Sequence, residues 1–251
     1  MMKQSLRLSD IKNSKISSEI RLLKYYLFAA AVFLVIGYFA FIVFDDKLIQ
    51  ILFREDGLFE YFSATILLIT SLIFLLIFFL KRHILYLFLF CLFFFGFGEE
   101  ISWGQRMLLF ETPEFVKKVN TQSEFNIHNL KIFMPKTPHS PKEYIAKLLD
   151  MNVMFKIFYL SWCFFLPILY SYFKFVKTIS LKINLPLAPI SIGFFFVLNL
   201  TVYFAIKFHF TQTSREELTF RALQEASEFY ASSVFLILSI YFLLNTIRVK
   251  D

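Results

Sequence analysis

The sequence predicts an all-α fold, a polytopic transmembrane helical bundle of about six spans with both termini cytoplasmic. Three observations carry that reading. Of the 251 residues, 58% are hydrophobic and 37 are Phe, where a soluble domain carries about 45–50% apolar residues. Charged residues fall to 18% and stand between long uncharged stretches. Those stretches have the length of a bilayer crossing, roughly 17–25 residues.

The spans, in order, are Tyr25–Phe44, Tyr61–Leu80, Ile84–Gly104, Ile157–Phe173, Leu185–Ile206 and Phe229–Ile247. In lipid every backbone polar group needs an internal partner, so each is expected to be helical. The first follows a basic segment, as a signal peptide would. It is longer than a signal core, however, and its small residues Ala29–Ala31 lie near its start rather than at a cleavage point, so it reads as a retained span. The third is unusual, because Glu99 and Glu100 interrupt it after the uncharged stretch Ile84–Gly98. Those carboxylates must lie near the interface or face protein or water, while Gly96 and Gly98 allow close helix approach beneath them. Pro167, Pro186 and Pro189 start or kink helices. No internal repeat or low-complexity tail is visible, and residues 1–251 read as a single integral membrane domain.

Orientation follows from Lys and Arg near the span ends. The N-terminal segment carries six, Lys81-Arg82 joins spans two and three, Lys174, Lys177 and Lys182 join four and five, and Arg248 and Lys250 follow the sixth. Placing all of these inside obeys the positive-inside rule. The outer connections are then residues 45–60, 105–156 and 207–228. The middle one is basic too, through residues such as Lys117, Lys118 and Lys131, but long loops are translocated with less regard to charge. The net charge of +7 is thus topological, and with no continuous basic stripe it argues against a nucleic-acid partner. Cys91 and Cys163 both lie in apolar stretches and read as small buried hydrophobes rather than a disulfide or zinc motif.

This topology gathers the distinctive polar residues on the outer face: Arg54–Glu60, Gly98–Arg106, Asn120–Asn129 and Arg215–Glu228. Glu124 and His128 are four apart, so on a helix they share one face and suit a cation or a proton-transfer site; on a solvated loop they do neither. Glu99 and Glu100 stand against apolar neighbours, where burial raises a carboxyl pKa toward the range useful in acid–base chemistry. Glu217, Arg221, Glu225 and Glu228 fall on one helical stripe, either as surface ion pairs or as part of a site. His83 and His209 flank spans, and Asn199 and Thr201 within span five read as helix-packing hydrogen bonders.

Acid, base and cationic side chains at headgroup depth point to a membrane-embedded hydrolase or transferase acting on a lipid or lipid-linked substrate. In that reading Glu99 or Glu100 is a general base or metal ligand, Glu124 and His128 complete the catalytic set, and Arg106 pairs a phosphate or carboxylate. Glu60, Trp103, Gln105, Asn120, Gln122, Asn126, Asn129 and Glu225 are the expected substrate contacts. A divalent metal on Glu100, Glu124 and His128 is chemically reasonable, although no zinc spacing marks it. Two other readings compete: a non-catalytic assembly or scaffold protein docking a protein partner through the loop 105–156, and a transporter. Against the transporter stand the apolar mid-depth of most spans and the absence of an inverted repeat.

Glu216-Glu217-Leu218-Thr219-Phe220-Arg221 spells the EExxxR of intramembrane CAAX-type proteases, but no histidine follows Arg221, so the match is treated as chance. The HxxxH pair of alkaline ceramidase-like and hemolysin III-like proteins is likewise missing. The chain resembles a family of uncharacterised bacterial polytopic membrane proteins through Glu55-Asp56-Gly57 with Glu60, through Gly98–Arg106, and through Asn120, Gln122, Glu124, Asn126, His128 and Asn129. The resemblance is carried by the first half of the chain. It implies that those residues form one site in a multi-pass protein of the bacterial cytoplasmic (inner) membrane, and it implies no particular substrate.

Overall fold

A computed structural model describes residues 24–53, 57–127, 129–133, 150–213 and 217–248, apart from the side chains of Arg106, Glu217 and Leu218. His128, Glu55 and Asp56, together with the EExxxR residue Glu216, lie outside the described residues. Every regular element among the described residues is helical. In chain order these are α1 (Lys24–Val43), α2 (Asp46–Leu52), α3 (Leu58–Lys81), α4 (Ile84–Glu100), α5 (Met151–Tyr172), α6 (Lys174–Lys182), α7 (Ile190–Gln212) and α8 (Glu217–Arg248). Between α4 and α5 the described residues form short helical turns, at Ser102–Gly104, Gln105–Leu108, Glu114–Val119 and Lys131–Phe133.

Among the described residues five helices are long and apolar enough to cross a membrane: α1, α3, α5, α7 and the stretch Thr219–Arg248 of α8. The expected third span is the exception. Helix α4 stops at Glu100 after 17 residues, about 25 Å at 1.5 Å per residue, where a hydrocarbon core is about 30 Å thick. It stops because Ser102, Trp103 and Gly104 take φ of 46°, 53° and 78°, a left-handed run that no α-helix continues through. Other boundaries also move. Helix α5 begins at Met151 rather than Ile157, since Asp150 caps it by accepting from the amides of Asn152 and Val153. Pro186 and Pro189 hold the chain extended until Ile190, so α7 starts later than expected. Helix α8 absorbs much of the expected loop 207–228, because Ala222, Leu223 and Ala226 bury themselves at helical spacing.

Helix α8 is the centre of the bundle: 61% of its apolar window is buried, against 17% for α5 on the periphery. Its buried face is rich in small residues (Ser227, Ala231, Ser232, Ser233), which let α3 and α7 approach. Phe74 of α3, Phe93 of α4, Trp162 of α5 and Phe235 and Phe242 of α8 pack together as the aromatic core. Outward-facing Leu72, Leu76, Phe79, Phe194, Phe204 and Phe208 form the apolar perimeter expected of a lipid-facing surface. One polar tie crosses the interior: Tyr38 Oη donates to Asn199 Oδ1 at 2.6 Å, and Asn199 Nδ2 donates to the carbonyl and hydroxyl of Ser227 at 3.0 and 3.1 Å. Asn199 therefore joins α1, α7 and α8 as a packing residue.

The antiparallel course of the helices sorts charge between the two ends. Glu60 in the first turn of α3, Glu100 at the end of α4, Asp150 before α5 and Glu225 and Glu228 early in α8 meet around one cavity. At the opposite end Lys81 of α3 shares a smaller cavity with Asn184 and with Asn245 of α8.

Candidate functional site

The site is built on the break after α4. Because Ser102 and Trp103 turn back over the helix end, the Trp103 ring lies on Gly98, where an added Cβ would stand 2.8 Å from the indole. From there Trp103 Nε1 donates to Glu99 Oε1 at 2.7 Å, and the amide of Ile127 donates to Glu99 Oε2 at 2.7 Å. Glu99 is 5% exposed, and two N–H donors satisfy its buried carboxylate. It thus ties the loop after α4 back onto the helix.

In the segment Asn120–Asn129 the described residues 121–127 are not helical, and an isolated bridge joins Asn120 to Leu130. Its polar side chains hold one another. Asn120 Oδ1 accepts from the amides of Gln122 and Glu124, and its Nδ2 donates to Asn126. Asn126 Nδ2 donates to Ser102 Oγ at 3.0 Å and to Glu124 Oε2 at 2.8 Å, while Ser102 Oγ donates to the same carboxylate at 2.9 Å. Gln105 receives the amide of Phe125 at 2.7 Å and donates to Thr112. Asn129 Nδ2 donates to Gln122 Oε1 at 2.6 Å. Glu99, Ser102, Gln105, Asn120, Glu124 and Asn126 thus act together as a scaffold.

Behind this knot lies a cavity of about 820 Å³, within the 300–1,000 Å³ range usual for small-molecule sites. Gln122 and Asn129 form its loop wall, Glu60 and Glu100 its α3–α4 wall, and Arg221, Gln224, Glu225 and Glu228 its α8 wall. Gln50 and Asp150 complete the rim. Gln224 Nε2 donates to Glu228 Oε1 at 3.3 Å, one helical turn away. Glu100 lies past the apolar stretch of α4 and outside the five membrane-length helices. Burial there, together with the neighbouring carboxylates of Glu228, Glu60 and Glu99, pushes its carboxyl well above the usual range.

That shift has a testable sign. A raised carboxyl pKa means that the native state keeps a proton the unfolded chain releases, so Glu100 makes stability fall as pH rises above the ordinary carboxylate value. Glu100→Gln mimics the protonated acid and should flatten the decline. Melting temperatures of the detergent-solubilised protein between about pH 5 and 8 measure this; parallel slopes in parent and variant would refute the assignment.

Of the residues expected in one site, the structure brings Glu60, Glu100, Gln122, Asn129 and Glu225 to the cavity wall. Glu99, Gln105, Asn120, Glu124 and Asn126 sit in the supporting knot, and Trp103 covers the end of α4. The side chain of Arg106 and all of His128 are outside the described residues, so the metal set Glu100, Glu124 and His128 stands as an expectation. Among the described residues no group of three His, Cys, Asp or Glu side chains is arranged to hold a metal ion. Gln50, Asp150 and Gln224 are additions that sequence reasoning passed over. Asp150 alone left a signal, as a capping residue ahead of an apolar stretch. Arg221 and Glu228 were visible as a helical stripe, and both line the cavity. Compared with known families, curated proteins and solved structures, the chain matches none, so the reading rests on its own residues.

Proposed function

We propose that this is a membrane-embedded hydrolase or transferase that works on the polar part of a lipid or lipid-linked substrate. The observation that carries the proposal is the polar chamber itself: about 820 Å³, lined by Glu60, Glu100, Glu225, Glu228 and Arg221, at one end of an apolar bundle. A headgroup fits that volume while its chains remain in lipid. Glu100, held protonated by its surroundings, gives its proton to the leaving-group oxygen. A carboxyl group across the chamber, Glu228 or Glu60, serves as the base that takes a proton from the attacking water or alcohol. Arg221 pairs a phosphate or carboxylate of the substrate, the role first expected of Arg106. Glu99 and Glu124 act by holding the loop wall.

In the same proposal the apolar stretch Ile84–Gly98 of α4 makes a sixth, short crossing, met by local thinning of the bilayer, with Glu99 and Glu100 just beyond its end. Both termini are then cytoplasmic, the chamber is extracytoplasmic, and the membrane is the bacterial inner membrane, in keeping with Lys81, Arg82, Lys174, Lys177, Lys182 and Arg248 on the other side.

The experiment is reconstitution of the full chain in vesicles of total bacterial polar lipid, with lipid species followed by mass spectrometry. The expected result is a new headgroup or lipid product with the parent protein and loss of at least about a hundredfold with Glu100→Gln, at unchanged folding. An unaltered product yield in the variant would remove Glu100 from the chemistry, and an unaltered lipid pool with the parent would remove the enzyme reading for these substrates.

A further inference from the structure

The loop that walls the chamber has two unlike sides. Its inner side carries the hydrogen-bonded knot. Its outer side exposes Met107 (59%), Leu108 (74%), Leu109 (87%), Phe110 (37%), Phe115 (71%) and Ile132 (65%). These are the side chains that water disfavours most, and so many of them exposed in one loop, Met107 to Phe110 consecutively, mark a contact with something apolar.

We infer that this outer side lies in a lipid leaflet, so that residues 105–127 and 129–133 form an interfacial flap whose apolar face enters the headgroup–acyl boundary and whose polar face lines the chamber. Three observations select lipid as the occupant. The exposed apolar side chains follow α4 after the single turn Ser102–Gly104, and Phe88 and Phe94 of that helix already face outward, so the loop lies next in the chain to a helix with an exposed apolar face. The flap sits at the end of membrane-length helices, the depth at which such boundaries occur. In the short helix Glu114–Val119, Phe115 and Val119 are exposed one turn apart, Lys117 on the opposite side pairs with Glu114 at 2.9 Å, and Lys118 is exposed beside Phe115, where its long stem allows the ammonium to reach the headgroups. The inference stands whether or not the chamber turns a substrate over, because it concerns only where the flap rests.

The test uses the full chain with Cys91→Ser, reconstituted in phosphatidylcholine–phosphatidylglycerol vesicles; Cys163 is fully buried. Nitroxide labels are placed separately at Leu109→Cys, Phe115→Cys and Lys117→Cys. Leu109 and Phe115 are exposed enough that a label disturbs no packing, and each serves as a check on the other. The ratio of collision rates with oxygen, which concentrates in lipid, to those with a water-soluble nickel chelate should be roughly threefold or more higher at 109 and 115 than at 117. Equal ratios at the three positions, with strong nickel collisions, would place the flap in water and overturn the inference. Labels at 109 and 115 shielded from both reagents would also overturn it, since a protein surface, such as a second copy of the chain, would then be the occupant.

Discussion

Gly193→Ala should be the most damaging single-methyl change in the bundle. Helix α5 carries a π turn at Ser161–Phe165, and α7 passes it at Gly193 so closely that a Cβ there would collide with the Cys163 carbonyl oxygen and lie 3.0 Å from its carbon. Those are backbone atoms, which no rotamer change can clear. The helices must separate, and the stacked pair Tyr159–Phe196, with ring centroids 4.6 Å apart on either side of the contact, must separate with them. Overpacking of this kind costs about 1–3 kcal/mol and occasionally more; Gly193→Leu should yield no folded protein. Gly37→Ala is the control, because its Cβ would meet a Phe229 side-chain atom at 3.4 Å, which can yield. Melting temperature in detergent, or resistance to sodium dodecyl sulfate, measures both. Equal loss in the two variants would contradict the close α5–α7 approach.

Asn126→Ala is expected to release the loop from the end of α4 while leaving the bundle intact. Asn126 is 4% exposed and serves four groups at once: it donates to Ser102 and Glu124 and accepts from Asn120 and, at 3.4 Å, from the Asn129 amide. Alanine provides no substitute for any of them, and the Glu124 carboxylate loses one of its donors. A hydrogen bond to a charged group contributes about 1.5–3 kcal/mol and a neutral one about 1, so roughly 2–4 kcal/mol of docking free energy should vanish. Exchange of the Ile127 amide, which donates to Glu99, should then accelerate on the order of a hundredfold by the same arithmetic. Amides in α3 and α8 should exchange as before. Unchanged protection at Ile127 would mean that Asn126 does not hold the loop.

Much of the bundle was legible because apolar length is a direct consequence of solvation: a stretch such as Ile190–Gln212 has few folds open to it in lipid. Boundaries were less so, because they depend on local chemistry. Asp150 lengthens α5 by capping it, and three successive positive φ values cut α4 short at Glu100. The convergence of Glu60, Glu100 and Glu225 followed from topology, since ends of antiparallel helices meet. Roles did not follow. Glu99 and Glu100 are adjacent and identical in type, yet one points into donors from Trp103 and Ile127 and the other into the chamber. Glu124 reads as a ligand by spacing, and in the structure its carboxylate accepts from Ser102 and Asn126 within a loop that is irregular there. Such distinctions depend on the path of the backbone between residues 101 and 127, which no periodicity encodes.

The central claim is that three separate segments wall one chamber on one side of the membrane. Single cysteines in place of Glu60, Gln122 and Glu225, in the Cys91→Ser chain, test it with a membrane-impermeant maleimide on sealed vesicles, and Asn184→Cys marks the opposite end. The account predicts that the first three label from the same side and that position 184 labels only from the other. Labelling of positions 60 and 225 from opposite sides would contradict it.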